Sequence, residues 1–461
     1  MGETLKESEM DASRPYYQAD FPPEEFAARR VRLAEAIGDR AIAVLRGNGP
    51  TGAFDLFRQT NDFYYLSGVE VPQACLTIEG TSGRTTLYLP PHDPRHEASE
   101  GKQFHADAPA LVSEMTGVDA VRPLAALGAD IRESAVIYTP HSPGEGNQAC
   151  RDVLLHAQKQ IAADPWDGSP AAEQRFLTRL KVENKSAEYR DLSPLLDPLR
   201  LVKSPREIDM MRKAGRLTAL AVIEAMRCTR AGRIEYHLAA AADYVYNLNG
   251  VRNAGYRPII ACGANIWNAH YYRNNGPLTD GELVLMDYAP DCGYYTSDIG
   301  RSWPVNGRYS ALQRELYGYI VEYHKVLLTV IRPGVSAAQV MREAADQMRP
   351  ILENSVWSKT IYKEAALRTL TFQGHLSHPV GMAVHDVGNY HIGNLVPGTV
   401  FALDPQMWVP EEQLYIRVED TVVITEDGVE NLTSLAPLEL DEVETQMREA
   451  GIIDMRPIFD R

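Results

Sequence analysis

Two stretches of the chain set acidic residues where an antiparallel ladder would bring them face to face. TDGELVLMDYAPDCGYYTSDIGRSWPV reads as two alternating runs about a turn at Asp291-Cys292-Gly293. A turn centred between Cys292 and Gly293 places Asp287 directly opposite Asp298, with Cβ atoms roughly 5 Å apart. TVFALDPQMWVPEEQLYIRVEDTVVIT has the same form about Pro410-Glu411-Glu412, and there Asp404 falls opposite Glu419. Facing like charges destabilise a ladder, the more so in strands as apolar as these. Either the acids share protons or cations compensate them. Four carboxylates from two related stretches could hold two divalent ions, four positive charges against four negative. His378, in GHLSHPVGMAVHDVGN, is the candidate imidazole ligand. Oxygen-rich ligation with one imidazole suits Mn2+, with Fe2+, Co2+ or Zn2+ as alternatives, and the absence of thiolates disfavours a soft metal. Such an ion pair generates hydroxide near neutral pH and polarises a carbonyl, which is the chemistry of hydrolysis.

Each residue also has a plainer reading. Asp291 is a turn residue; Asp287 or Asp404 alone would be a solvated strand end, and His378 alone a satisfied core histidine. The joint pattern reverses the readings of Asp287, Asp404 and His378, while Asp291 stays a turn residue. Arg417 lies two residues before Glu419, hence on the same strand face, where it can orient that carboxylate. His270 in NAHYYRNNG and His385 in AVHDVGN have loop-type neighbours and stay open to a functional or a structural role. His324 and His391 are read as core or surface.

The elements that must carry these residues punctuate themselves clearly. Residues 1–20 read as a polar tail. Pro22-Pro23-Glu24-Glu25 opens a helix with Phe26, Val31, Ala34 and Ile37 on its apolar side, followed by the strand-like AIAVL. FDLFRQTNDFYYLSGVEVPQACLTIEG and RTTLYLP read as further strands, so residues 21–197 form an α/β domain. A boundary falls within LSPLLDPLRLVKSPRE, ahead of a second domain at 198–461. There Ser204, Pro205 and Glu207 make a capping box for a long helix ending near Gly232, and Ser310 with Gln313 makes another for a helix ending near Gly334. An Ala-rich helix follows each stop and one acid-bearing stretch follows each helical pair, the mark of an internal duplication.

Composition narrows the function classes. The chain has 461 residues, too many for a single core, and a net charge of −16. That charge argues against nucleic-acid and anionic-membrane partners, and no apolar run is long enough to span a bilayer. Five scattered cysteines suggest neither a disulfide framework nor a thiolate zinc site, and fit a soluble protein in a reducing cytoplasm.

At these residues the sequence resembles the pita-bread metallopeptidases, the family of aminopeptidase P, prolidase and methionine aminopeptidase. MDYAP, TSDIGRSWPVNG, LSHPVGMAVHDVG, ALDP and IRVEDTVVIT follow one another as in the family's five-ligand pattern. FRQTNDFYYLSGVEVPQACLTIEG resembles the N-terminal domain of aminopeptidase P, and LRLVKSPREIDMMRKAG the start of the catalytic domain. The resemblance implies that Asp287 binds one ion, that Asp298 and Glu419 bridge two, and that His378 and Asp404 bind the second. It implies that His270 and His385 contact the substrate and the transition state, that Asp404 assists proton transfer, and that Arg417 lies at the substrate. The family's HGLSH-like run reads Gly374-His375-Leu376-Ser377-His378, so the substrate-contacting His is either absent from its usual place or displaced by one, to His375. Asp404-Pro405-Gln406 replaces the family's EPG-like motif, and Tyr415 stands where a Gly is usual. The implied fold is a duplicated α/β pita-bread domain behind a smaller α/β domain. The implied activity is a Mn2+-dependent Xaa-Pro aminopeptidase acting on proline-containing peptides, as a homodimer or homotetramer. The alternatives are a prolidase confined to dipeptides, an amide or ester hydrolase of altered specificity, and a silent module that binds peptides.

Overall fold

The computed structural model describes residues 17–52 and 54–455, so most of the expected polar tail lies outside them. The described residues through Leu199 form one unit and those from Arg200 a second.

In the first unit a mixed six-stranded sheet runs in the order Ala120–Pro123, Thr85–Leu89, Cys75–Glu79, Ala41–Arg46, Val136–Thr139, Glu188–Asp191. Ile42, Val44, Tyr88, Ile131, Ile137 and Leu180 pack together in its core. Two expectations fail here. Asn61–Ser67, read as strand, is a helix closed by Gly68 in the left-handed region at φ +65. All seven of its residues are buried, polar Asn61, Asp62 and Ser67 included; a segment buried on every side has no periodicity to separate helix from strand. In the helix Pro23–Ile37, Val31 is 53% exposed, whereas Arg29 and Arg30 are buried. Their guanidiniums donate to the carbonyls of Tyr65 (3.1 Å) and Leu66 (3.0 Å). The last carbonyls of a helix have no partner within it, and a cation is well placed there.

In the second unit the capping box of Ser204 and Glu207 starts the helix Pro205–Arg227, and that of Ser310 and Gln313 starts Ala311–Val330. Glu235–Leu248 and Ala337–Asn354 follow them as the Ala-rich partners. The second half alone inserts a further helix, Thr360–Thr371. The sheet runs Val400–Leu403, Glu419–Ile424, Ile299–Pro304, Leu283–Asp287, Ile259–Cys262, with Val429–Asn431 paired to Glu419–Ile424. The duplication is visible in it. Ile259–Cys262 pairs with Leu283–Asp287 as Pro379 pairs with Phe401, and the two halves meet where Gly300 faces Glu419. Asp287 thus ends one strand and Asp404 follows directly on its equivalent, while Asp298 directly precedes one central strand and Glu419 begins the other. No helix among the described residues is long and apolar enough to cross a membrane. All five cysteines are buried and none is in a disulfide.

Candidate metal centre

The two hairpins reach the centre differently. In the second, Gln406 pairs with Arg417 and Leu403 with Asp420, and Val418 N–H donates to the Pro405 carbonyl (3.3 Å). Asp404 therefore lies across from Glu419, as the spacing predicts. In the first, Arg301 pairs with Met286 and Ser302 with Leu285, so the register places Gly300, not Asp298, opposite Asp287. The turn is one residue later than expected: Cys292 and Tyr295 exchange backbone hydrogen bonds around Gly293 (φ +55) and Tyr294 (φ +74). Two consecutive positive φ angles make the tight turn whose twist matches antiparallel strands. Asp298 stands just outside the ladder, its N–H held by Thr421 Oγ1 (2.6 Å).

Asp298 still meets Asp287, through a residue that no spacing in the sequence signals. The Tyr256 hydroxyl lies 2.6 Å from Asp287 Oδ1 and 2.9 Å from Asp298 Oδ1. Ligand atoms of Asp298, His378 and Glu419 all lie within 4.8 Å of one another. His378 Nδ1 is 3.2 Å from the Pro379 carbonyl, which can only accept, so the ring presents Nε2 to Asp298 Oδ2 at 3.3 Å. Arg417 is the cation among the acids. Its Nη2 donates to Asp287 Oδ2, Nη1 lies 3.3 Å from Glu419 Oε2, and Nε lies 4.0 Å from Asp404 Oδ1. It thus reaches both halves rather than Glu419 alone.

Burial, followed by the charge of Asp287, raises the Asp298 carboxyl well above the usual range; burial and the charge of Glu419 do the same to Asp404. Glu419 is raised too, by burial and the neighbouring Asp298 and Asp287 against the pull of Arg417. Its chain neighbour Asp420 points the other way in the pleat. Burial would raise that carboxyl, but Arg301 (2.7 Å) and the fully buried His324 (3.1 Å) hold it far below. Consecutive residues on opposite faces thus carry a strained and a neutralised acid.

Three imidazoles line up beside the carboxylates. His385 lies 4.1 Å from His378 and 6.2 Å from His270, ring centre to ring centre. Partial desolvation and the neighbouring His385 hold His270 below the ordinary histidine value. The segment bearing His378 and His385 is anchored through Asp386, whose oxygens meet Arg200 Nη2 (2.6 Å) and Lys203 Nζ (3.2 Å). His375 is not in this row. It stands against Phe372 and His391 on the wall of a cavity of about 440 Å³, which Asp404, Gln406, Trp408 and Leu376 also line.

The residues fit a pair of hard divalent ions. Neither Asp404 Oδ1 nor Glu419 Oε2 accepts a hydrogen bond from the described residues, although both are buried. Buried oxygens left without a hydrogen bond, Glu419 Oε2 meeting only Arg417 Nη1 at 3.3 Å, are costly unless a ligand takes them. Gly300 keeps the space between the strands open, since a Cβ there would come within 3.0 Å of both Glu419 Cβ and Arg417 Nε.

Residues 209–426 match the metallopeptidase family M24, and residues 26–135 match the N-terminal domain of aminopeptidase P. The chain is 32% identical to the Xaa-Pro aminopeptidase of Escherichia coli (strain K12) over 449 residues, covering 92% of this chain and 97% of the relative. It is equally identical to Xaa-Pro aminopeptidase 3 of Mus musculus over 450 residues, covering 91% and 85%. Among solved structures, aminopeptidase P from E. coli with the inhibitor Pro-Leu superposes with a TM-score of 0.75 at 29% identity, covering 93% of this chain and 99% of that one.

Proposed function

This chain belongs to metallopeptidase family M24, and on that footing we propose that it is a metal-dependent Xaa-Pro aminopeptidase, removing the N-terminal residue that precedes proline. The observation that carries the reading is the convergence of Asp298, His378 and Glu419 with Asp287 and Asp404, two of whose buried oxygens have no hydrogen-bond donor. In this reading Asp287 would hold one divalent ion, His378 and Asp404 the other, and Asp298 and Glu419 would serve both. When bound, the ions lower the pKa of water and polarise the scissile carbonyl. Mn2+ is the ion we assign, because four of the five candidate ligands are carboxylates and the fifth is an imidazole, with no thiolate among them.

The chain's own groups do the remaining work. Arg417 and Tyr256 keep Asp287 and the bridging acids in place. His385 and His270, beside the centre, donate hydrogen bonds to the substrate as charge develops on the carbonyl oxygen. Asp404 takes up and returns a proton. We place His375, with Gln406 and Trp408, along the cavity that receives the peptide.

The test is release of the first residue from Xaa-Pro-Yaa tripeptides by chelator-stripped protein reloaded with Mn2+. Turnover of tripeptides is expected, with Xaa-Pro dipeptides cleaved more slowly; cleavage of dipeptides alone would make it a prolidase. No turnover with any divalent metal would overturn the reading. A cytoplasmic setting is consistent with five buried cysteines, none of them in a disulfide, and the homodimer or homotetramer implied by resemblance is checked by light scattering.

A further inference from the structure

Asp404 is the carboxylate of the centre with the least support from other elements. Asp287 is held by Tyr256 and Arg417, Asp298 by Tyr256, and Glu419 by Arg417. Arg417 Nε, by contrast, is 4.0 Å from Asp404 Oδ1, beyond hydrogen-bond reach. What touches Asp404 is Gln406, whose Nε2 donates to Oδ2 at 3.1 Å. The amide is itself fixed, because Trp408 Nε1 lies 2.8 Å from Gln406 Oε1. An indole N–H can only donate, so it selects the amide oxygen and turns the NH2 group toward Asp404. The backbone beneath is fixed as well. Gln406, Met407 and Trp408 pair with Arg417, Ile416 and Tyr415, and Thr369 Oγ1 donates to the Gln406 carbonyl (3.0 Å).

We propose that Gln406 is a positioning residue: held by Trp408, its amide takes Oδ2 of Asp404 and so directs Oδ1 to the second ion. The inference rests on the two-ion reading above. It gives a reason for two departures to occur together, a carboxylate one methylene short and an amide two residues on, since the shorter arm is braced by the longer neighbour.

The experiment is Mn2+ titration of the chelator-stripped full chain by calorimetry, with Co2+ absorption as a second readout. The wild-type chain is expected to bind two ions. Gln406→Ala should weaken one of them by about 10–100-fold and leave the other unchanged. Trp408→Phe, which keeps an aromatic ring but removes the N–H, should weaken the same ion less. A double variant Asp404→Glu with Gln406→Gly, a longer arm that needs no brace, should recover affinity to within about threefold of wild type, taking tenfold as 1.36 kcal/mol. Unchanged affinities in Gln406→Ala and Trp408→Phe would overturn the inference. So would equal weakening of both ions alongside a lowered Tm, or a double variant that stays weak. A wild-type chain binding fewer than two ions would overturn the two-ion reading itself, visible before any variant is compared.

Discussion

Replacing Asp386 by Ala should unfold the catalytic unit early and disable it, for reasons that need no metal. The Arg200, Lys203 and Asp386 side chains are each only 1% exposed, with Nη2 and Nζ at 2.6 and 3.2 Å from the two carboxylate oxygens. Removing one member of a buried pair leaves the other charge uncompensated, which costs about 3–5 kcal/mol. For a unit of this size 1 kcal/mol corresponds to about 2–4 °C, so Tm should fall by about 6–20 °C in calorimetry of the full chain. The same loss should release the segment carrying His378 and His385, one of which adjoins Asp386 in sequence. A displacement of about 1 Å at a reacting group costs on the order of 100-fold, so kcat/KM should drop by that factor in the fraction still folded. The pH dependence has a definite sign. Burial would raise the Asp386 carboxyl, but Arg200 and Lys203 hold it below its ordinary value. Its stabilisation is therefore present above the unfolded pKa of about 3.9 and is lost as pH falls through the folded value. The gap in Tm between wild type and variant should close only in acid. Gly381→Ala should resemble Asp386→Ala, because a Cβ at Gly381 would stand 2.1 Å from Asp386 Oδ2. A Tm within about 2 °C of wild type for Asp386→Ala would refute the argument that this ion cluster holds the segment.

Two further outcomes follow from the centre itself. Tyr256→Phe removes the one hydroxyl shared by Asp287 and Asp298; Mn2+ affinity should fall about 10–100-fold, measured by calorimetric titration, with the far-UV spectrum unchanged. In chelator-stripped protein, Asp298, Asp404 and Glu419 have folded pKa values raised by burial and mutual repulsion. Their contribution is thus greatest below the unfolded carboxylate pKa of about 4 and is lost as pH rises through the folded values. The Tm difference between Mn2+-loaded and stripped protein should grow from pH 5 to pH 8, and a pH-independent difference would contradict it.

Much of the centre was legible because its residues lie in order along two repeated stretches. Asp404 and Glu419 could be paired from the chain alone, since their hairpin is regular up to its turn and its register follows from the turn position. Asp287 and Asp298 could not be placed so simply. A one-residue shift of the turn to Gly293-Tyr294 moved Asp298 off the ladder, and only the through-space bridge of Tyr256 returns it. The helix Asn61–Ser67 was misread for a related reason: with every side buried, its aromatic run has no period.

The local signals of the sequence, namely the capping boxes, the apolar runs and the two acid-bearing hairpins, establish the elements and the set of candidate ligands, because caps, turns and pleats act over a few residues. What lies within reach of those ligands was decided in three dimensions. Tyr256 is 31 residues from Asp287 in sequence, Arg417 is 130 and Asp386 is 186 from Arg200, yet each meets its partner directly. Such partners are chosen by burial, where an unpaired charge or hydroxyl is costly enough to select one packing among many, and burial is a property of the folded chain rather than of any local stretch.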